Sequence, residues 1–280
     1  MGSPTPKFLE NYLSSGNAVV ETVQYFHTRL GEIALFSRPS PDNDKPNEDH
    51  LAVFPVGPQS LVLAIADGVG GQNDGITAAF IAIREIRHAI ARIEDNGKEL
   101  RGAILDGIEN ANHSILENTA GAACTIAIVE INEQIVRTYH AGDSEVLITG
   151  QRGRLKHQTL SHTPVAYAME AGLMNEDQAI MHEERHIVSN VLGYRDMHIT
   201  ISSPIKMACH DTLLVGSDGL FDNLHKQEIV EVIRKGKLSR SGEILAEKVR
   251  ARMFSDESCY PSKFDDLSFI LFRQNRSTPS

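Results

Sequence analysis

Of the 280 residues none is tryptophan, only three are cysteine, and aromatic residues make up 6%. Cys124, Cys209 and Cys259 are widely separated. That spacing excludes a disulfide framework and a zinc site built from paired thiolates. Cys124 lies in an apolar run and reads as a small core residue. No apolar stretch is long enough to cross a bilayer, and Met1 to Glu10 carry no apolar signal core. Basic clusters are missing as well: 27 Lys and Arg stand against 37 Asp and Glu, for a net charge of -10. Nucleic acid and anionic membrane are thereby excluded as main partners. These absences predict a cytoplasmic chain, read as a monomer.

What remains is ordinary globular composition, 41% apolar and 23% charged. No repeat or low-complexity block divides it. The one Pro- and Asp-rich stretch, Pro39 to Pro46, reads as a loop. The organisation expected is an N-terminal extension over 1–28, one domain over 29–274 and a short tail over 275–280. Strand-like runs are Ile33–Ser37, Leu51–Val56, Leu61–Ala66, Thr125–Ile131, Ile135–Tyr139 and Glu145–Thr149, then Ile187–Val191, His198–Ile205, Thr212–Val215 and Leu267–Phe272. Glu130 to Ile135 reads as a hairpin. Apolar residues at helical spacing predict helices over Ile76–Ile93, including Phe80 on the apolar face, and Leu100–Leu116. Two later helices are expected at Lys226–Arg234 and Ser241–Phe254. Tight strand-to-strand turns and paired amphipathic helices predict an α+β sandwich: two packed antiparallel sheets flanked by helix pairs, in four layers.

The informative residues are acidic and stand at strand ends. Leu61–Ala66 runs into Asp67-Gly68-Val69-Gly70-Gly71, and Thr212–Ser217 runs into Asp218-Gly219. Asp265-Asp266 opens Leu267–Phe272, and Asn47-Glu48-Asp49 precedes another strand. Carboxylates emerging together repel one another unless a cation lies between them. Hard divalent ions such as Mg²⁺ and Mn²⁺ take oxygen ligands of this kind. Glycines after Asp67 allow backbone groups to approach an ion closely. A bland reading exists for each segment alone, a Gly-rich turn or an Asx turn, and it is the natural one for Ala141-Gly142-Asp143-Ser144 taken in isolation. Their joint occurrence points to a carboxylate-built metal site, hence to hydrolysis.

His182-Glu183-Glu184-Arg185-His186 matches the H-E-x-x-H spacing of zinc proteases. A metalloprotease through His182 and His186 is therefore an alternative. It requires both rings on one face of a buried helix, whereas charged Glu184 and Arg185 and the strand-like run that follows argue against one.

Taken in order, the acidic segments resemble the metal-dependent type 2C family of serine/threonine protein phosphatases, in a bacterial-like form. Asn47-Glu48-Asp49, Ala66 to Gly71, Gly121 to Ile126, Ala141 to Ser144, Ser161-His162-Thr163-Pro164 with Gly172 and Gly193, Asp211 to Asp222, and Asp265 to Ser268 carry that resemblance. It implies the sandwich fold and hydrolysis of phosphoserine and phosphothreonine in proteins by a metal-activated water. The partner implied is a phosphorylated protein, opposing a Ser/Thr kinase. Two core Mg²⁺ or Mn²⁺ ions would be bridged by Asp67. Asp218 and Asp265 would ligate one and the Gly68 carbonyl the other. Glu48 and Asp49 would hold waters, and Asp143 with Asp218 would form a weaker third site. Ser161–Ile187 corresponds to a flap. The family's phosphate-gripping Arg is out of register here; Lys45 stands near its place and Arg38 further back. Val69 stands where some members carry a proton-donating His. A phosphatase-like module without activity is the second alternative, because fold alone does not fix function.

Overall fold

The computed structural model describes residues 22–42, 46–70, 74–93, 99–255 and 260–274. Strands β1 (Gln24–His27), β2 (Gly31–Arg38), β3 (His50–Val56), β4 (Ser60–Ala66) and the two-residue β5 (Gly68–Val69) come first. Helices α1 (Asp74–Ala91) and α2 (Leu100–Asn118) follow. Then come β6 (Ala123–Cys124), β7 (Ile126–Asn132), β8 (Ile135–Ala141), β9 (Glu145–Thr149) and β10 (Leu155–Gln158). Short helices α3 (Pro164–Glu170) and α4 (Glu176–Ile180) precede β11 (Thr200–Ile201), β12 (Ile205–Lys206) and β13 (Thr212–Gly216). The chain closes with α5 (Asp218–Phe221), α6 (Lys226–Ile233), α7 (Leu238–Met253) and β14 (Leu267–Gln274).

One antiparallel sheet has the order β1-β2-β14-β13-β9-β10, the other β11-β8-β7-β4-β3 with β12 also on β8. Three apolar layers hold the four-layer sandwich. Leu35, Leu63, Val129, Val215 and Phe272 fill the space between the sheets. Ile83, Ile86, Ile104 and Ile108 seal α1 and α2 onto one outer face. Leu220, Ile229, Leu245 and Val249 seal α5, α6 and α7 onto the other. The expected fold class is thus the observed one.

Elements with strong apolar patterns lie within a few residues of their predicted bounds, and the β7–β8 hairpin turns at Glu133 with φ 52°. The differences have local causes. Gln24–His27 falls in the expected N-terminal extension, yet it pairs along β2 as an edge strand. Ile187–Val191 is not a strand. Its backbone is used otherwise: Ser189 N donates to the His162 carbonyl, and Leu192 exchanges hydrogen bonds with Cys124. The run His198–Ile205 is split into β11 and β12, either side of Ser202-Ser203-Pro204; Pro204 has no N–H to donate to a ladder. Phe80 lies outside the buried stripe of α1 and is 37% exposed. Among the described residues no helix is long and apolar enough to cross a membrane.

Register positions the acidic segments. His50 pairs with Ala66, Ile126 with Ala141, Gly216 with both Phe269 and Glu145, and Arg38 with Leu267. The ends of β4, β8 and β13 and the starts of β3, β9 and β14 therefore share one end of the sandwich. Phe272 is completely buried between the sheets, whereas Leu173 is 79% exposed. Phe272→Ala should cost about 3–5 kcal/mol, and Leu173→Ser should stay within about 0.5 kcal/mol of wild type. Denaturant titration of both variants checks the layer assignment.

Candidate metal centre

Asp67 follows β4 with its carbonyl accepting from Thr125 N at 2.8 Å, and its N–H donates to Thr125 Oγ1 at 3.3 Å. That hydroxyl also bonds Ser144 Oγ at 2.7 Å. Thr125 thus ties the Asp67 turn to the Gly142-Asp143-Ser144 turn. Gly68 must be glycine, because a Cβ there would lie 2.4 Å from the Gly75 carbonyl carbon. Gly219 is constrained more severely: its Cβ would stand 1.9 Å from the Asp266 carbonyl oxygen. This contact seats the first turn of α5 against Asp265 and Asp266.

Sequence reasoning missed a buried hydroxyl network behind these turns. Ser217 Oγ donates to Asp49 Oδ2 at 2.8 Å. Ser268 N donates to Ser217 Oγ at 3.2 Å, Ser268 Oγ bonds Ser37 Oγ at 2.8 Å, and Asn47 Nδ2 donates to Ser37 Oγ at 2.8 Å. Asn47 Oδ1 then accepts from Asp49 N at 2.9 Å. Single serines inside apolar strands give no signal in a lone sequence. Asp266, in sequence only the second half of an acidic pair, has a separate part. Its two oxygens accept from Ser40 N at 2.7 Å and Glu48 N at 2.6 Å. It therefore pins both ends of the Pro-rich loop beside the site. Lys45 lies in that loop but outside the described residues. Arg38 ends β2, paired with Leu267 one residue from Asp266.

The electrostatics identify which carboxylates share a locus. Burial pushes Asp67 well above the usual carboxylate range, and Asp49, Asp218, Asp265 and Asp143 each add to the rise. Asp49 is raised by burial, then by Asp266 and Asp218. Asp143 is raised by burial, then by Asp218 and Asp222. Burial, with Asp218 next, holds Asp265 at about 7 and Asp222 at about 6. Glu145, at the start of β9, is held at about 7 by burial against opposing help from Gln158 and Lys226.

A lysine side chain stands in direct contact with these carboxylates. Lys263 Nζ lies 2.5 Å from Asp218 Oδ2 and 2.7 Å from Asp265 Oδ2. Asp222 Oδ2 is 3.0 Å away, off the hydrogen-bonding direction. Burial would lower the lysine's pKa, but Asp218, Asp265 and Asp222 together raise it.

These residues fit divalent ions in chemistry: the donors are hard oxygens, they repel one another, and Asp49 Oδ1 is buried without a hydrogen-bond partner. Among the described residues, however, no three His, Cys, Asp or Glu side chains stand ready to hold an ion; Asp218, Asp222 and Asp265 converge on the ammonium instead. The H-E-x-x-H segment forms turns, with Glu184 N donating to His182 Nδ1 at 3.1 Å. The helix a zincin requires is absent, and the metalloprotease alternative falls with it. A cavity of about 110 Å³ opens beside the cluster between Asp143, Asp218 and Asp222 on one side and Val165, Met169 and Arg185 on the other.

A carboxyl whose folded pKa is raised contributes stability while it is neutral and loses it as pH rises through that raised value. For Asp222, Asp265 and Glu145 the window closes at about 6 to 7. Chelator-treated protein should therefore melt at a lower temperature at about pH 8 than at about pH 5.5. Glu145→Gln should flatten part of that dependence, and thermal denaturation at the two pH values measures it.

Residues 41–251 match the family described as protein phosphatase 2C, a span that takes in Asp67, Asp143 and Asp218 and ends before Asp265. The protein phosphatase PhpP of Streptococcus pneumoniae serotype 2 (strain D39) is 25% identical over 194 residues, covering 67% of this chain and 78% of that protein. The structure of serine/threonine phosphatase Stp1 from Staphylococcus aureus superposes with a TM-score of 0.74 at 22% identity, over 89% of this chain and 98% of that one. The catalytic domain of the phosphatase PstP, solved in complex with two manganese ions, gives a TM-score of 0.67 at 21% identity, over 88% and 99%. With the family match extending over more than half of its length, the chain belongs to the protein phosphatase 2C family of metal-dependent serine/threonine protein phosphatases.

Proposed function

We propose that Asp67, Asp218 and Asp265 are the core of this enzyme's phosphatase site and hold two divalent ions, Mg²⁺ or Mn²⁺. The observation that carries this reading is the position of Asp67, whose charge is opposed at once by Asp49, Asp218, Asp265 and Asp143. The carboxylate that feels all the others is the one suited to be shared between cations. In this reading the Gly68 carbonyl supplies a neutral oxygen beside it. Asp143 and Asp218 offer a weaker third place. Such ions, when bound, make water acidic enough to ionise near neutral pH and neutralise phosphoryl charge.

The chain's own residues do the rest. Glu48 and Asp49 receive hydrogen bonds from water within the site and orient it. Ser217 and the hydroxyl network behind it hold Asp49 against its neighbours. Val69, 36% exposed on the Asp67 turn, offers no proton, so the seryl or threonyl oxygen takes one from solvent. Arg38, and Lys45 in the adjoining loop, supply positive charge for the substrate phosphate. The cavity between Asp143 and Met169 receives residues flanking the phosphorylated one, which makes Ser161–Ile187 the segment that selects among proteins. The substrate is a phosphoprotein of the cytoplasm, acted on by a monomer opposing a Ser/Thr kinase. The acidic composition and the free, dispersed Cys124 and Cys209 support a reducing compartment.

Phosphate release from a phosphothreonine peptide should require Mn²⁺ or Mg²⁺ and stop with chelator. Asp67→Asn should lower kcat by about a thousandfold or more, close to 4 kcal/mol of barrier, with an unchanged far-ultraviolet spectrum. Wild-type turnover in that variant at saturating Mn²⁺ would remove the shared-ligand role. Met169→Ala should change kcat/KM on a phosphoprotein by several-fold more than on a small aryl phosphate. Equal effects on the two substrates would make the segment a structural cover only.

A further inference from the structure

Lys263 is anchored in a way an ordinary surface lysine is not. Its N–H donates to Asn223 Oδ1 at 2.9 Å, and its carbonyl accepts from Asn223 Nδ2 at 2.9 Å. Asn223 is completely buried, and its amide also donates to the Gly219 carbonyl at 2.9 Å. The backbone of Lys263 is thereby bolted to the same turn that carries Asp218, Gly219 and Asp222. From there the side chain, 23% exposed, reaches Asp218, Asp265 and Asp222 within 3.0 Å. An ammonium has three donors and no acceptor, and here three carboxylates meet it.

We propose that Lys263 is a resident cation of the carboxylate cluster, which holds Asp218, Asp222 and Asp265 together when no divalent ion is bound and must withdraw for one to bind there. This rests on the reading of Asp218 and Asp265 as metal ligands. The physical reason is exclusion. Mg²⁺ takes carboxylate oxygens at about 2.0–2.1 Å, and Asp218 Oδ2 and Asp265 Oδ2 are the oxygens that the ammonium occupies. Two cations bound to one pair of oxygens repel each other across a half-buried site, where charge is poorly screened. The four-carbon stem of lysine allows withdrawal without backbone movement, while the Asn223 clasp keeps the residue at hand. Metal affinity at this end of the site is consequently lowered, and the metal-free chain is protected from the repulsion of its own carboxylates.

The experiment compares wild type with Lys263→Met by calorimetric titration of Mg²⁺ and by melting temperature in chelator. The variant should bind one of its Mg²⁺ ions at least about tenfold more tightly, or take up one more ion, because the charge competing at Asp218 and Asp265 is gone. Its metal-free form should melt lower than wild type, and Mg²⁺ should raise its melting temperature by more. Equal affinity and stoichiometry in the two proteins overturn the proposal and leave the phosphatase reading intact. Absence of Mg²⁺ binding in both overturns the two together. If the variant does not fold, lysine acylation of wild type, read by mass spectrometry on the peptide containing Lys263, decides. Saturating Mg²⁺ should raise its modification rate several-fold over the chelated protein; an unchanged or lower rate overturns the proposal.

Discussion

Mutual repulsion among carboxylates at one end of the sandwich is the constraint to which the rest of the site answers. Asp49, Asp67, Asp143, Asp218 and Asp265 are brought there by strand register, and each raises the cost of ionising its neighbours. Unpaired charge in such surroundings is expensive. Three devices offset it in this chain. Raised pKa values make it easier for these carboxyls to keep a proton; Ser217 donates to Asp49; and Lys263 sits among Asp218, Asp222 and Asp265. A divalent ion held here would add a fourth device, stronger than the others because its charge is doubled.

Neighbouring residues divide the labour. Asp265 and Asp266 are consecutive at the entry to β14. Asp265 faces Lys263, whereas Asp266 accepts from Ser40 and Glu48. Alternation of side chains along an extended chain explains how one dipeptide serves both sides. The result couples the loop bearing Glu48 to the strand bearing the cluster without using an extra element. The same economy appears at Ser217-Asp218-Gly219. The serine turns inward to Asp49, the aspartate outward to the ammonium, and the glycine permits the close approach to Asp266.

Much of this was legible in sequence because it depends on short-range pattern. Apolar runs ending in Asp-Gly mark buried strands that deliver a charge to the sheet edge, and α1 and α2 declare themselves by helical spacing. What was hidden depends on tertiary context. β1 and β10 are four-residue strands with little buried surface, so alternation within them is too brief to register. Ile187–Val191 has β-forming residues but spends its hydrogen bonds on His162 and His198, a case of packing overriding propensity. Phe80 shares the spacing of the buried isoleucines, yet Ala78, Ala79 and Ala82 lie in the buried face of α1 and Phe80 does not. Lys263 could not be found at all. A lysine two residues before an acidic pair reads as a solvated counter-charge, and only Asn223, forty residues earlier, directs it inward.

The segment beside the cavity is anchored at both ends through one histidine. His162 N donates to the Gly142 carbonyl, and Gly142 N returns a bond to the His162 ring at 3.2 Å. At the far end of the segment, Ser189 donates through both N and Oγ to the His162 carbonyl, and Asn190 bonds the ring at 2.8 Å. Both ends of Ser161–Ile187 therefore converge on one histidine, which stacks on His140 with ring centroids 4.4 Å apart. Its ring is held neutral, at about 4, by burial and then by His140 and His198. The segment is bonded directly to the Gly142-Asp143 turn, and through Ser144 and Thr125 that turn is joined in its own right to Asp67. Asp143 therefore stands one hydrogen-bonded step from the segment and Asp67 a further step away, across the Thr125 hydroxyl.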